Sequence, residues 1–364
     1  YSRAAKKGNV LDQKQTLKKL THIPAKFRND KASIWMARLA IQEQRWDLVL
    51  QAVDSLSTEE QQDGRWIFWR AYAHQQLNQK ERAKALFAQI ANKATYHGFL
   101  AADYLQQPYT ALQAEKPNRN AELSQVRELR NLQRALALYE VGYPNLALKE
   151  WLFTIKQLDN PHKLAAAEFA LQHGQAFTSI LTVAKTKDWN AIDLRFPLLH
   201  RQLVEQHSQQ QQVQAAWVYG VMRRESAFKT DALSRVKAFG LMQLMPATAR
   251  EVSRSLKLTG LDRKDYVKPA INIQLGSHYL AKMLAKFDGS YPKATAAYNA
   301  GPGRIPRWTP DSPQPAEQWV ESIPFEETRQ YVQAVLTYTI IYDHLLKQGK
   351  THARLSQYLT PIKQ

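Results

Sequence analysis

The chain has 364 residues, 44% of them apolar and 10% aromatic, which is enough material for more than one buried core and excludes both a marginal mini-domain and a disordered chain. Lys plus Arg number 50 against 32 Asp plus Glu, a formal charge of +18 that would attract nucleic acid, anionic lipid or an acidic polymer without choosing among them. The absence of cysteine excludes a disulfide framework, a thiolate nucleophile and any sulfur-ligated zinc site.

Tyr1 opens the chain without an initiator Met or a signal-like pattern, which reads as a processed or trimmed chain. No stretch approaches the roughly 18 uninterrupted apolar residues that a bilayer requires, so no transmembrane segment is expected. Between Lys31 and Asn92 the apolar spacing is helical and repeats at an offset of 34, with Trp35, Ala37 and Leu39 matched by Trp69, Ala71 and Ala73. Turns are expected at Gln42 to Arg45 and Leu77 to Lys80, each leading into a second helix, Trp46 to Leu56 and Glu81 to Ile90. Two further pairs come next: Leu129 to Val141 with Asn145 to Gln157 across Gly142-Tyr143-Pro144, then His162 to Gln172 with Ala176 to Ala184. Helix pairs bury their apolar faces only against neighbours, so the front half reads as an α-solenoid. Joints are expected at Gln106 to Asn120, which carries two prolines, and at Arg195 to Gln212, which ends in a glutamine run.

From Gln209 a single helix is predicted, with Val213, Trp217 and Val221 recurring every four residues and Glu225 next on that stripe. Most such glutamates pair with a neighbour such as Arg223 or Arg224 at a fraying end. A carboxylate at a helix C-terminus among apolar groups is nevertheless disfavoured in its ionised form, as a general acid requires. A polar turn with Asp231, Ser234 and Lys237 leads to AFGLMQLMPATA, where Pro246 can open a helix and Gln243 is the only polar residue between Gly240 and Met245. Gln243 is either a satisfied core amide or a ligand donor, and spacing alone favours the core. AAYNAGPGR places Tyr298 and Asn299 just before a Gly-Pro break; it lacks the Lys-Ser/Thr ending of a phosphate loop, so nucleotide binding is not expected. WVESIPFEETRQYV then sets Glu321, Glu326 and Glu327 around Pro324, ahead of a helix from Thr328 to Leu346 that one or more of them could cap.

The ordered set Glu225-Ser226, GLMQLMP, NIQLGSHYL, AAYNAGPGR and VESIPFEETRQYV closely resembles the catalytic domain of bacterial soluble lytic transglycosylases, of glycoside hydrolase family 23 in the lysozyme-like superfamily. The likeness covers about Gln209 to Tyr342, and the front half looks like the superhelical and linker regions of the same family. It implies an all-α chain: a superhelical helix-pair domain at 1–115, a helical linker domain at 116–205 and a lysozyme-like catalytic domain at 206–364.

By that resemblance Glu225 is the single catalytic acid and base for cleavage of the β-1,4 bond between N-acetylmuramic acid and N-acetylglucosamine, with a 1,6-anhydro product. Ser234, Gln243, Met245, Tyr298, Asn299 and Glu321 would line the cleft. Tyr298 would orient Glu225, Gln243 and Ser234 would hold polar groups of sugar or peptide, Met245 would touch a sugar face, and Glu321 would bind substrate or support the pocket. Lys229-Thr230 and Lys237-Ala238 depart from the Asn-Pro and Gly-Ala of the family pattern, beside Ser234. The implied partners are peptidoglycan strands and muropeptides in the periplasm, together with other cell-wall enzymes; no cofactor is implied.

Two readings compete. A hydrolytic muramidase would need a second carboxylate, for which Asp231 and Glu321 are the nearest candidates. A non-catalytic solenoid scaffold would use the basic surface alone, but no zinc finger or RNP aromatic pattern accompanies it, so nucleic acid is not an expected partner. His200 and His207 lack any metal-ligand spacing, and no EF-hand or His-Glu-x-x-His pattern occurs, so no metal is expected.

Overall fold

The computed structural model describes residues 10–24, 27–113, 117–186, 188–189, 191–350 and 353–363. Tyr1 and the expected domain boundary at 115/116 lie outside them. The described residues are helical, with no strand beyond isolated bridges, and no helix among them is long and apolar enough to cross a membrane.

The chain forms two compact units. One holds residues up to Ala111 together with Tyr279–Asp343 and Lys350–Gln364; the other holds Leu112–His278 and His344–Gly349. In the first unit the 34-residue period is literal. Helices Asp30–Gln42 and Trp46–Asp54 recur in length and offset as Gly64–Gln76 and Lys80–Ala88. Both hairpins turn the same way: Gln44 (φ 53°) and Asn78 (φ 59°) are left-handed, and the N–H of the next residue reaches back five positions, Arg45 to Ala40 O and Gln79 to His74 O, each at 2.8 Å. That is the Schellman closure of a helix end, which satisfies carbonyls the helix leaves open.

The second unit uses the same joint with glycine. Gly142 (φ 82°) turns Arg130–Glu140 into Pro144–Ile155, and Gly174 (φ 72°) turns Asn160–Gln172 into Ala176–Ala184. Glycine adopts this backbone without steric cost, whereas Gln44 and Asn78 carry a Cβ there.

The first unit's core is aromatic. Phe68 contacts Trp69, Tyr72, Phe87 and Tyr104 at centroid distances of 5.3 to 6.0 Å, and Phe87 stacks on Tyr104 at 5.2 Å. The helix Ala316–Ser322 docks onto it through Tyr104 Oη donating to Glu317 Oε1 (2.9 Å) and Gln318 Nε2 donating to Tyr72 Oη (2.9 Å). Trp151 centres the corresponding core of the second unit with Leu132, Ile155 and Phe169, its indole N–H given to Thr182 Oγ1 at 2.9 Å.

One sequence expectation is corrected. The helix predicted to start at Gln209 is two helices, Arg201–Gln210 and Ala215–Glu225, broken where Gln212 turns left-handed (φ 54°) and Val213 N–H closes onto Ser208 O. Val213 therefore precedes the stripe. Ala216 through Met222 are all buried, which makes Ala215–Glu225 a core helix covered on every side over that stretch.

Candidate active site

Glu225 is the last residue of this buried helix and is itself half-buried. Ser226 fixes the path of the chain beyond the helix. Its Oγ lies 2.8 Å from Leu241 O and 3.1 Å from Met222 O, and it accepts the N–H of Phe228 at 3.1 Å. The hydroxyl thus staples the helix end to the GLMQLMP segment. The chain then reverses through two consecutive left-handed residues, Ala227 (φ 48°) and Phe228 (φ 65°), a costly geometry of the kind that accumulates at functional sites. A carboxylate on a rigid helix end, succeeded by a forced turn, has little freedom to move its Cα.

The segment opposite Ser226 is held from below by Asn272, which is fully buried on the helix Pro269–Lys286. Asn272 Oδ1 accepts from Met242 N–H at 2.8 Å, while its Nδ2 donates to Tyr266 O (2.8 Å) and Phe239 O (3.2 Å). Gly240 (φ 78°) is required there, because a Cβ would lie 2.3 Å from Asn272 Nδ2. Gly276, one turn after Asn272, faces Met242, whose Sδ would be 2.2 Å from an added Cβ. Asn272 and Gly276 are four apart and share a helix face, which explains the NIQLG pattern physically.

Of the sequence candidates in this unit, Gln243 is half-buried in a left-handed conformation (φ 45°), and its Nε2 donates to Gly240 O (2.8 Å) and Ala232 O (3.0 Å). Both N–H bonds are spent on the loop, so Oε1 is its end left to meet a ligand. Ser234 is half-buried; its Oγ accepts from Ala238 N–H (2.9 Å), and its own N–H donates to Ala238 O (2.9 Å). Met245 is 43% exposed and precedes the helix Pro246–Ser255, which Pro246 opens as expected. Asp231 is exposed, 3.8 Å from Lys229 Nζ.

The Ser234 loop also explains one departure from the family pattern. Lys237 stands at φ 67°, where glycine would be unstrained. Lys237→Gly is therefore expected to raise stability by about 0.5–1 kcal/mol, the left-handed cost relieved less the extra freedom of glycine in the unfolded chain. A urea midpoint lower than wild type would contradict this loop conformation.

In the other unit, Tyr298 and Asn299 occupy the last turn of Tyr291–Ala300, which Gly301 (φ 86°) ends. Both are half-buried. Tyr298 lies 5.4 Å from the Tyr279 ring, and Asn299 Oδ1 accepts from Thr328 Oγ1 at 2.7 Å. Thr328 begins the run of buried residues on Glu326–Leu346, so this bond joins AAYNAG to SIPFEETRQYV. Glu326 and Glu327 lie in that helix's first turn, where negative charge favours the dipole.

Glu321 is 1% exposed. Its Oε1 accepts from Arg38 Nε at 2.9 Å with Arg329 Nε at 3.9 Å, and its Oε2 accepts from Gln333 Nε2 at 3.3 Å with His97 Nε2 at 4.0 Å. Burial alone would push its pKa up, but Arg38, Arg329, Arg65 and His97 together hold it down at about 2. Burial dominates for His97, whose pKa falls to about 4 although Glu321 pulls it upward. Among the described residues no cluster of His, Asp and Glu could hold a metal ion.

Ser226 and Asn272 fall within the sequence motifs, but the sequence alone assigned neither a role. The four-residue spacing of Asn272 and Gly276 was the available signal for the second.

This geometry meets three family descriptions. Residues 202–319 match the Transglycosylase SLT domain, 125–192 the Soluble lytic murein transglycosylase L domain and 322–351 the Soluble lytic transglycosylase helical domain. By these matches the chain is similar to soluble lytic transglycosylases over residues 125–192, 202–319 and 322–351. A soluble lytic murein transglycosylase of Salmonella typhimurium is 30% identical over 302 residues, covering 80% of this chain and 46% of that protein. The protein of that name from Escherichia coli K12 is 28% identical over 299 residues, covering 81% and 46%. Among solved structures, an inactive glutamate-to-glutamine variant of lytic transglycosylase Slt from Pseudomonas aeruginosa has a TM-score of 0.86 at 33% identity, covering 95% of this chain and 56% of that one. The 70 kDa soluble lytic transglycosylase of Escherichia coli shares the fold, with a TM-score of 0.78 at 24% identity, over 92% and 54%. The chain spans about half the length of the curated relatives it matches.

Proposed function

We propose that this chain is a peptidoglycan lytic transglycosylase acting in the periplasm, with residues 206–364 as its catalytic domain and Glu225 as its sole acid and base. The observation that carries this reading is the half-buried Glu225 at the end of a core helix, with the next residue, Ser226, pinned to the GLMQLMP segment. The family matches support it, as do the similar lytic transglycosylases and the inactivity of one structural neighbour that carries a glutamate-to-glutamine change.

Glu225 protonates the bridging oxygen as its bond to C1 of N-acetylmuramic acid breaks, and the N-acetylglucosamine hydroxyl leaves. The resulting carboxylate takes the proton of the muramic 6-hydroxyl as O6 bonds to C1. The 1,6-anhydro ring closes, the enzyme regains its proton, and no water is consumed. Ser234, Gln243 through Oε1, Met245, Tyr298 and Asn299 are assigned to holding sugar and peptide. Glu321, bound by Arg38 and Gln333, is assigned to supporting the VESIPF segment, which argues against its service as the second carboxylate of a hydrolase.

Digestion of purified peptidoglycan, with mass spectrometry of the products, tests the reading. Anhydro ends are the expected outcome. Ends carrying one added water would make the enzyme a muramidase instead.

A further inference from the structure

Within the first compact unit, a cleft of about 390 Å³ is bounded by the helix Val10–Thr21, the end of Asp30–Gln42, and the segments 306–314 and 322–324. Its size suits a small ligand. None of the residues assigned to the chemical step lines it.

Two of its walls are amides with unspent bonding capacity. Gln13 is only 9% exposed and Gln314 only 8%. Gln13 Oε1 accepts from Gln42 Nε2 at 3.0 Å, but its own amide N–H groups have no partner among the described residues. Gln314 spends its backbone on Ile362, at 3.0 and 2.9 Å, and its side-chain amide has no protein partner there either. Both residues are otherwise buried, and neither amide end is among the sealed polar atoms without a partner, so the free bonding groups open to solvent in the cleft that the two residues line.

Trp308 supplies the apolar element of the cleft. It is half-buried, its ring held at 78° to Phe325 with centroids 5.2 Å apart, and its carbonyl accepts the Trp319 indole N–H at 2.7 Å. Charge in the lining cancels, with Lys14 and Arg307 against Glu43 and Asp311, and Lys14 lies 3.5 Å from Glu43. A neutral site with a fixed indole, paired amides, and the hydroxyls of Ser312 and Ser322 does not select for a multiply charged peptide stem.

We propose that this cleft is a glycan-holding site that takes an N-acetylated hexosamine, with Gln13 and Gln314 bonding its hydroxyls or acetamido group and Trp308 meeting an apolar ring face. The choice of sugar rests on the proposed glycan substrate; the existence of the site rests on the two amides that line the cleft together with Trp308.

Calorimetric titration of the whole chain carrying Glu225→Gln with chitotetraose tests it, repeated with Gln13→Leu or Gln314→Leu added. Leucine keeps most of the volume while removing the bonding groups, and Trp308→Phe is a third probe should either leucine variant fail to fold. The expected result is two tetrasaccharides bound per chain in the parent, with one of the two weakened at least ten-fold in each added variant. A single binding event, or two, that none of these substitutions alters would overturn the proposal, as would saturation of the cleft by N-acetyl-Ala-Ala without chitotetraose. Failure of the transglycosylase reading is distinguishable, since it appears in the product ends and leaves these affinities untouched.

Discussion

Glu225→Gln is expected to slow solubilisation of purified sacculi by about a thousand-fold, in line with the contribution of a positioned proton donor. In the proposed mechanism the same group is needed twice, first to give a proton to the leaving oxygen and then to take one from the 6-hydroxyl, and an amide does neither. Folding should survive the change. Glu225 is half-buried at a helix C-terminus, where negative charge is unfavourable, so a neutral amide of the same length costs the native state little. The thermal midpoint and circular dichroism should match wild type. Lysis at the wild-type rate by a folded variant would remove Glu225 from the chemistry.

The second large effect falls on stability. Glu321→Gln leaves Arg38 and Arg329 enclosed beside a neutral group, and breaking one side of a buried ion pair costs about 3–5 kcal/mol. A fall of that order should be visible in the urea midpoint of the variant at pH 7. The same cluster sets a pH dependence with a definite sign. His97 has its pKa lowered from 6.5 to about 4, so the unfolded state takes up the proton first, and stability drops as pH falls through that interval. Glu321 is lowered from 4.5 to about 2, so its contribution, full above 4.5, is lost as pH falls toward 2. Unfolding midpoints measured from pH 7 down to pH 3 should therefore decline in wild type. The lower part of that decline should be shallower in Glu321→Gln, and an identical slope would mean that Glu321 is not the group responsible.

Much of this was readable from local pattern. The 34-residue offset marked the first two helix hairpins, Pro246 marked a helix start, and the Gly-Pro break marked the end of the helix bearing Tyr298 and Asn299. Each is a property of a few consecutive residues. The break at Gln211–Gln214 was hidden because glutamine is a competent helix former and Gln212 gives no sign of a left-handed backbone, unlike Gly142 or Gly174. Lys237 conceals its conformation for the same reason. The surroundings of Glu321 were invisible for a different one: its closest cation, Arg38, is 283 residues away in sequence, and no spacing rule reaches that far.

The repeated hairpin has a consequence for how such a chain can lengthen. Because the bend is closed by backbone groups at Arg45 and Gln79 alike, and is tolerated by glutamine, asparagine or glycine at its tip, a copied thirty-four-residue stretch brings its own fold instructions with it. Gene duplication can therefore extend the array one unit at a time, and the new copy need acquire only an apolar face that fits its neighbour.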